Sequence, residues 1–353
     1  MEEKNQGSCP AQDRQIRRYF MQFSHIGRSG LEVSRLCLGA MTFGRETSKK
    51  DSLKMMDMFK DRGGNFIDTA NVYSQGLSEE IVGEWLGNQN REDWVIATKV
   101  RFPMGDGPNH KGLGRKHIFS SIQDSLDRLG TDYVDILYVH AWDYNTRLEE
   151  TLSTLSSVVE SGMARYIGVS NHSGWQLQRA LDVSEFRDLE PYIILQAKYN
   201  LLIRETEWEL LPVVKNHGMG FVAWGPLFGG WLSGRYTRDM SAPPRGSRVE
   251  TAEEKGWFES WSRYNRESTW KVIDEVLEVA RETGKSPAQV SLNWLLQKPI
   301  TGPIIGASKI HHLEDNLDSA EWQLSAEHMA RLDEISRPEL PYPYDFLEMA
   351  KGV

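Results

Sequence analysis

Eight short apolar runs alternate along the chain with longer amphipathic stretches, and few folds accommodate this alternation. The apolar runs cover residues 35–39, 65–68, 94–99, 133–140, 166–170, 193–197, 220–224 and 303–306. They are rich in Val and Ile and show little alternation with polar residues. This pattern is typical of strands that are buried on both faces of a parallel sheet.

The amphipathic stretches between the runs have the periodicity of helices. Helices are predicted over residues 50–62, 78–86, 117–129, 147–160, 173–181, 207–217 and 269–283. In the third stretch, Ile118, Ile122, Leu126 and Leu129 fall on one helical face. Glycines follow several of these faces, where helices commonly end. Eight strands that alternate with helices predict an α/β fold, a (β/α)8 TIM barrel.

A doubly wound parallel sheet is the alternative architecture. It normally carries a G-x-G-x-x-G motif after its first strand, and this chain has none. Residues 21–35 predict a β-hairpin that caps the barrel floor. Residues 228–266 contain Gly, Pro and three Trp residues, and predict a long functional loop. We expect residues 1–19 to be a flexible extension and residues 20–353 to form a single barrel domain.

Composition excludes several functional classes. The net charge of -9 argues against a nucleic-acid-binding protein, and no apolar run is long enough to insert into a membrane. Two cysteines and a polar N-terminal stretch fit a cytoplasmic protein. The adjacent His311 and His312 lack further ligands, so no metal site is predicted. The expected partner is a small molecule, and the sequence leaves the oligomeric state open.

Polar residues follow several predicted strands at the end where this fold places its active site. Asp68, Lys99 and His140 end three apolar runs, and Tyr73 lies in the loop after Asp68. Each has an ordinary structural explanation, such as a surface tyrosine or a buried histidine with its partners satisfied. Together they suit proton donation to a carbonyl oxygen: an ammonium lowers the pKa of a nearby phenol, a carboxylate orients the lysine, and neutral histidine contacts the substrate.

Four motifs resemble those of the aldo-keto reductase family, in its branch of potassium-channel β subunits and bacterial-type reductases. They are LGAMTFG at 38–44, FIDTA at 66–70, ATKV at 97–100 and YIGVSN at 166–171, and the resemblance runs from Phe23 to about Ser336. It implies a catalytic tetrad of Asp68, Tyr73, Lys99 and His140. In this tetrad Tyr73 is the acid, Lys99 tunes it, Asp68 pairs with Lys99, and His140 orients the substrate.

The resemblance also implies an extended NADPH molecule bound without a Rossmann motif. Ser170, Asn171 and Gln196 suit the carboxamide, and Trp224 either stacks on the nicotinamide or is a core residue. Glycine-rich backbone after Trp224 suits the pyrophosphate, and the residues after the eighth strand suit the adenosine end. The remaining predicted cofactor contacts are Gly39, Met41, Asp68, Gly225, Pro226, Leu227, Gly229, Arg235, Arg248, Gly306, Ser308, Lys309, His312, Asp315 and Asn316.

The resemblance implies an NADPH-dependent oxidoreductase that reduces aldehydes or ketones to alcohols. The alternative is an NADPH-binding regulatory subunit of a membrane channel or another partner, with little turnover; His140 favours turnover. A third possibility is oxidative or redox-neutral use of the cofactor. Aromatic side chains near the mouth predict a hydrophobic or aromatic substrate, with Tyr73, His140, Trp142 and Trp231 as contacts. Phe102 and the tail 341–344 are further candidates for this lining.

Overall fold

A computed structural model describes residues 21–351, and it opens with a short hairpin followed by a closed barrel. In the hairpin, β1 (Phe23–His25) pairs antiparallel with β2 (Glu32–Ser34). Its turn packs under the barrel, where the N–H of Arg28 donates to the carbonyl oxygen of Gly218 at 2.8 Å. A Cβ atom on Gly27 would lie 2.3 Å from that same oxygen, so this close approach requires glycine. The predicted hairpin cap is therefore confirmed.

The barrel has eight parallel strands, each followed by at least one helix. The strands are β3 (Cys37–Gly39), β4 (Phe66–Asp68), β5 (Val95–Val100), β6 (Val134–Val139), β7 (Ala164–Ser170), β8 (Tyr192–Lys198), β9 (Gly220–Trp224) and β10 (Gly302–Ile305). They pair in chain order, and β10 closes the barrel against β3. This confirms the predicted fold class, with strand ends within two residues of the predicted runs.

The seven predicted helices are present, and residues 21–351 contain six more, five of which were not predicted. The predicted ones are α1 (Lys49–Asp61), α2 (Leu77–Leu86), α3 (Arg115–Leu129), α4 (Leu148–Glu160), α5 (Gly174–Arg187), α6 (Leu210–His217) and α9 (Glu267–Thr283). The others are α7 (Arg248–Lys255), α8 (Trp261–Tyr264), α10 (Pro287–Leu296), α11 (Ile310–Leu317), α12 (Ala326–Ile335) and α13 (Tyr344–Ala350); a short helix at α11 had been expected only from the family resemblance. No helix within residues 21–351 is long and apolar enough to cross a membrane. The predicted extension 1–19 lies outside the described residues.

The segment predicted as one long loop, 228–266, is more ordered than expected. It contains α7 and α8, and its aromatic side chains pack into a cluster of their own. Trp231 stacks on Trp261 with ring centroids 5.1 Å apart, and its indole N–H donates to the carbonyl oxygen of Glu259. Because Trp231 is 0% exposed, its predicted place at the substrate mouth is wrong for this conformation.

The barrel interior changes from apolar to more polar along four of its strands, β5, β6, β8 and β9. Inward-facing side chains recur at every second residue, since strand residues alternate between faces. Val95, Ile136, Ile194 and Val222 belong to one buried cluster at the lower levels of β5, β6, β8 and β9. The inward positions nearer the carboxyl ends of these strands hold Lys99, His140, Gln196, Lys198 and Trp224. This alternation places polar side chains together at the mouth.

Candidate active site

The buried amine of Lys99 is held by three acceptors. Its Nζ donates to Oδ1 of Asp68 at 2.5 Å, to the carbonyl oxygen of Thr69 at 2.8 Å, and to the hydroxyl of Tyr73 at 3.4 Å. The side chain of Lys99 is 0% exposed and that of Asp68 is 4% exposed. Burial alone lowers the pKa of Lys99, but Asp68 and Tyr73 outweigh it, and the net pKa is raised above 10.5. Lys99 is therefore a fixed cation.

Tyr73 enters the mouth from a short 3-10 turn after β4. Two residues that follow it, Ser74 and Gln75, have φ angles of 50° and 56°, which side-chain-bearing residues rarely adopt. This bend places the Tyr73 ring edge-on to His140, with centroids 5.8 Å apart. The structure thus brings Asp68, Tyr73, Lys99 and His140 together, as expected from the ends of their strands.

The direction of the Tyr73 pKa differs from the sequence-based expectation. Lys99 lowers the pKa of Tyr73, but burial raises it by more, and the net pKa lies above its ordinary value of 10.0. Burial outweighs the ammonium because the phenolate would lose its hydration, and the nearby carboxylate of Asp68 opposes it too. Tyr73 is therefore a neutral phenol at neutral pH, the form that a proton donor needs.

His140 is also neutral. Burial holds the pKa of His140 well below 6.5, and the positive charges of Lys99 and Arg101 add to this effect. Its Nδ1 is buried without a hydrogen-bond partner in the part of the chain that the structure describes. The Phe102 ring lies edge-on to the His140 ring, with centroids 4.8 Å apart. Neutral imidazole can hydrogen-bond a carbonyl substrate without competing for the proton of Tyr73.

Gln196 contacts the tetrad itself. Its Nε2 donates to Oδ2 of Asp68 at 2.8 Å, so both oxygens of this carboxylate are engaged. Asn171, with φ 52°, donates to the carbonyl oxygen of His140 and to Oγ of Ser170, both at 2.9 Å. The indole N–H of Trp224 donates to Oδ1 of Asn171 at 3.1 Å. The residues predicted to bind the cofactor's carboxamide are therefore hydrogen-bonded to the tetrad: Gln196 to Asp68, and Asn171 to the backbone of His140.

The glycine-rich loop after Trp224 is bent and lies against charged side chains. Gly225 and Gly229 have φ angles of 64° and 67°, Pro226 is buried, and Leu227 is half-buried. A Cβ atom on Gly229 would be 3.1 Å from Cγ of Glu259 and 3.4 Å from Cγ of Arg248. Arg248 pairs with Glu259 at 2.7 Å. Arg248 is thus beside the predicted pyrophosphate loop, but its charge is matched by a carboxylate.

The predicted adenosine-end residues lie around the start of α11. Ser308, Lys309 and His312 are exposed, and Lys309 is the residue before the first helical turn. Asn316 is buried. The carboxylate of Asp315 accepts from Ser286 at 2.7 Å and from Gln289 at 2.7 Å, so in this structure it links α10 to α11. Its adenine contact stays a prediction.

The remaining predicted contacts lie at the mouth or beneath it. Gly39 is packed against Ile304, Met41 is 36% exposed, and Gly306 is exposed. Trp142 is half-buried and lies edge-on to His172, with ring centroids 5.1 Å apart.

The sequence analysis did not predict Arg101 and Lys198, two further cations at the mouth. For Lys198 the signal was available, because it lies in β8 two residues beyond Gln196 and so faces the same way. Arg101 follows the end of β5, where strand alternation no longer applies.

Comparison with known proteins agrees with this geometry. The aldo/keto reductase family model matches residues 35–337. The chain is 36% identical to the uncharacterized oxidoreductase YrpG of Bacillus subtilis, covering 89% of this chain and 96% of that protein. It is 36% identical to a probable voltage-gated potassium channel subunit beta of Arabidopsis thaliana (85% and 92% covered), and 33% identical to an NADP(+) aryl-alcohol dehydrogenase of Phanerodontia chrysosporium (89% and 86% covered). The chain therefore belongs to the aldo/keto reductase family, whose oxidoreductases it resembles over most of its length.

Proposed function

We propose that the chain is an NADPH-dependent reductase of aldehydes and ketones. The observation that carries this proposal is the neutral phenol of Tyr73, which lies within 3.4 Å of the buried Lys99 cation and edge-on to neutral His140. Bound NADPH supplies the hydride that reaches the carbonyl carbon. Tyr73 gives its hydroxyl proton to the carbonyl oxygen, and Lys99 stabilises the phenolate that remains. His140 hydrogen-bonds the carbonyl oxygen and orients it.

The residues after β10 fit the cofactor's extra phosphate. Burial lowers the pKa of His312, and the charges of His311, Lys309 and Arg235 lower it further. Lys309, His311 and His312 are exposed at the start of α11, in a chain whose net charge is -9. A 2′-phosphate, which carries about two negative charges, suits such a cluster. Together with the bent glycine-rich loop at Gly225–Gly229, this supports NADPH as the cofactor.

A channel-regulating role is the second candidate, because relatives in Arabidopsis thaliana and Oryza sativa carry the name of channel β subunits. Sustained turnover distinguishes the two. NADPH oxidation followed by absorbance, with a panel of aliphatic and aromatic aldehydes and ketones, tests the reductase directly. Tight NADPH binding without turnover of any compound would favour the regulatory role. The low cysteine count, two in the whole sequence, supports a cytoplasmic location for a reductase and for a channel-regulating subunit alike.

Replacing Trp224 by alanine is expected to weaken NADPH binding about 2- to 10-fold, since ring stacking contributes about 0.5–1.5 kcal/mol beyond area burial. Fluorescence titration with NADPH measures the affinity. Trp208→Phe is the matched control, because Trp208 packs at the rim against Tyr344. An unchanged affinity in Trp224→Ala would show that Trp224 is only a core residue.

Wild-type enzyme is expected to have a lower KM for NADPH than for NADH, and Lys309→Ala to reduce this difference. The preference should grow as the pH falls from 8 to 6. The reason is that the phosphate raises the pKa of His312, which is depressed in its absence. Lys60→Ala, at the far end of α1, is the control. Equal KM values for both cofactors in wild type contradict the prediction.

A further inference from the structure

Arg101 is held at the barrel mouth in an unusual backbone conformation. It directly follows β5 (Val95–Val100), two residues after Lys99. Its φ angle is 144°, a region that side-chain-bearing residues rarely adopt. Strain of this kind persists where the surrounding structure enforces it, and it clusters at ligand sites.

The guanidinium of Arg101 has an unused buried donor. One terminal nitrogen donates to the carbonyl oxygen of Trp142 at 3.2 Å, and the group lies 4.9 Å from the Phe102 ring centroid. Its Nε is buried and has no hydrogen-bond partner among residues 21–351. The same Phe102 ring lies 4.8 Å from the His140 ring between centroids, so Phe102 separates the cation from the imidazole by the width of one ring. A partly buried guanidinium that lacks a full set of acceptors is costly, and an anionic ligand oxygen at its accessible terminal nitrogens would reduce that cost.

Exposed aromatic rings continue outward from this cation. We call Trp142, Tyr144 and Trp175 the aromatic shelf. Trp142 contacts Trp175 at 5.6 Å and Tyr144 at 6.5 Å between ring centroids. Trp175 is 62% exposed and Tyr144 is 81% exposed. Large rings left in contact with water at a mouth offer a flat surface for another ring.

We propose that Arg101 binds an acidic group on a flat aromatic carbonyl substrate, a carboxylate or an ionised phenol, whose ring lies against the aromatic shelf. This inference rests on the proposed reductase function and narrows its substrate class. The planar donors of the guanidinium match the two oxygens of a carboxylate, and one of them suffices for the single oxygen of a phenolate. The predicted cofactor phosphates belong to β9 and β10, and β5 is separated from both by at least two strands in the closed barrel. The acidic group is therefore the substrate's own.

The test compares 4-formylbenzoate with its methyl ester, which keeps the ring and the aldehyde but removes the charge. Wild type is expected to favour the anion in kcat/KM, mainly through KM. In Arg101→Met this preference should fall at least 10-fold, while kcat for the ester stays within a few-fold. Arg101→Lys should recover part of it, because lysine keeps the charge without the planar donors. Added salt should weaken the wild-type preference.

Lys198→Met is the matched control, because Lys198 is the other missed cation at the mouth and lies 4.8 Å from the Trp224 ring centroid. It is expected to keep the preference for the anion. Loss of the preference in Lys198→Met alone, or an equal fall for acid and ester in Arg101→Met, would overturn the assignment.

Binding without turnover separates this inference from the proposed function. Calorimetry with 4-carbamoylbenzoate and its methyl ester should show tighter binding of the anion to wild type and equal binding of both to Arg101→Met. Equal binding of both to wild type would overturn the role of Arg101, whatever the turnover. Failure to oxidise NADPH with either aldehyde would instead count against the reductase function alone.

Discussion

Tyr73→Phe is expected to lower kcat for carbonyl reduction about 10²- to 10⁴-fold, the usual contribution of a positioned general acid. Phenylalanine keeps the ring that lies against His140 and removes only the hydroxyl near Lys99. NADPH affinity should therefore be unchanged, and single-turnover measurement of NADPH oxidation should show the loss in the chemical step.

The control for this variant is Tyr133→Phe, since Tyr133 lies at the start of β6 and packs against Arg91 and Arg165. It should retain wild-type turnover. If Tyr73→Phe keeps near wild-type kcat, another group must protonate the alkoxide, and the proposed mechanism fails. Loss of NADPH binding in Tyr73→Phe would mean that the substitution disturbs the site as a whole.

Lys99→Met is expected to abolish measurable reduction and also to destabilise the fold by about 3–5 kcal/mol, because it leaves the buried Asp68 carboxylate without its cation. Urea denaturation measures the change in the free energy of unfolding. The pKa of Lys99 is raised in the folded chain, so its contribution is fully present at neutral pH. It is lost only as the pH rises through that raised value.

A double variant separates the two effects. Lys99→Met with Asp68→Asn removes the unpaired charge, so it should recover much of the lost stability without recovering activity. Recovery of activity would show that the ion pair is structural. Unchanged stability in Lys99→Met would show that Asp68 is protonated or hydrated in the folded chain, contrary to the fully engaged carboxylate described above.

Three members of the tetrad could be predicted from strand ends, and Tyr73 from the family resemblance, since a bent turn rather than a strand places its ring. Asp68, Lys99 and His140 end apolar runs, and parallel strands bring such ends to one mouth. The place of Trp231 was not predictable, since it depends on how α7 and α8 fold back over the loop. The same holds for Asp315, whose partners come from a helix that the pattern did not reveal. The backbone angle of Arg101 has no signature in the sequence.

The pKa of Tyr73 illustrates a different limit. Sequence spacing indicates that a lysine is near the tyrosine, but not how much water either group retains. Burial is a property of the closed barrel, and here it outweighs the neighbouring charge. The direction of a pKa shift therefore required the structure, whereas the identity of the groups did not.

In the proposed reductase, the three acceptors around Lys99 would also keep its amine from reacting with an aldehyde substrate. Aldehydes condense with neutral amines to form imines, which would inactivate a catalytic lysine. Lys99 stays protonated and its N–H groups are all engaged, so it has no lone pair to offer an aldehyde. Lys198 differs, because burial lowers its pKa to about 8. Of these two lysines, Lys198 is therefore the one with the larger neutral fraction near neutral pH.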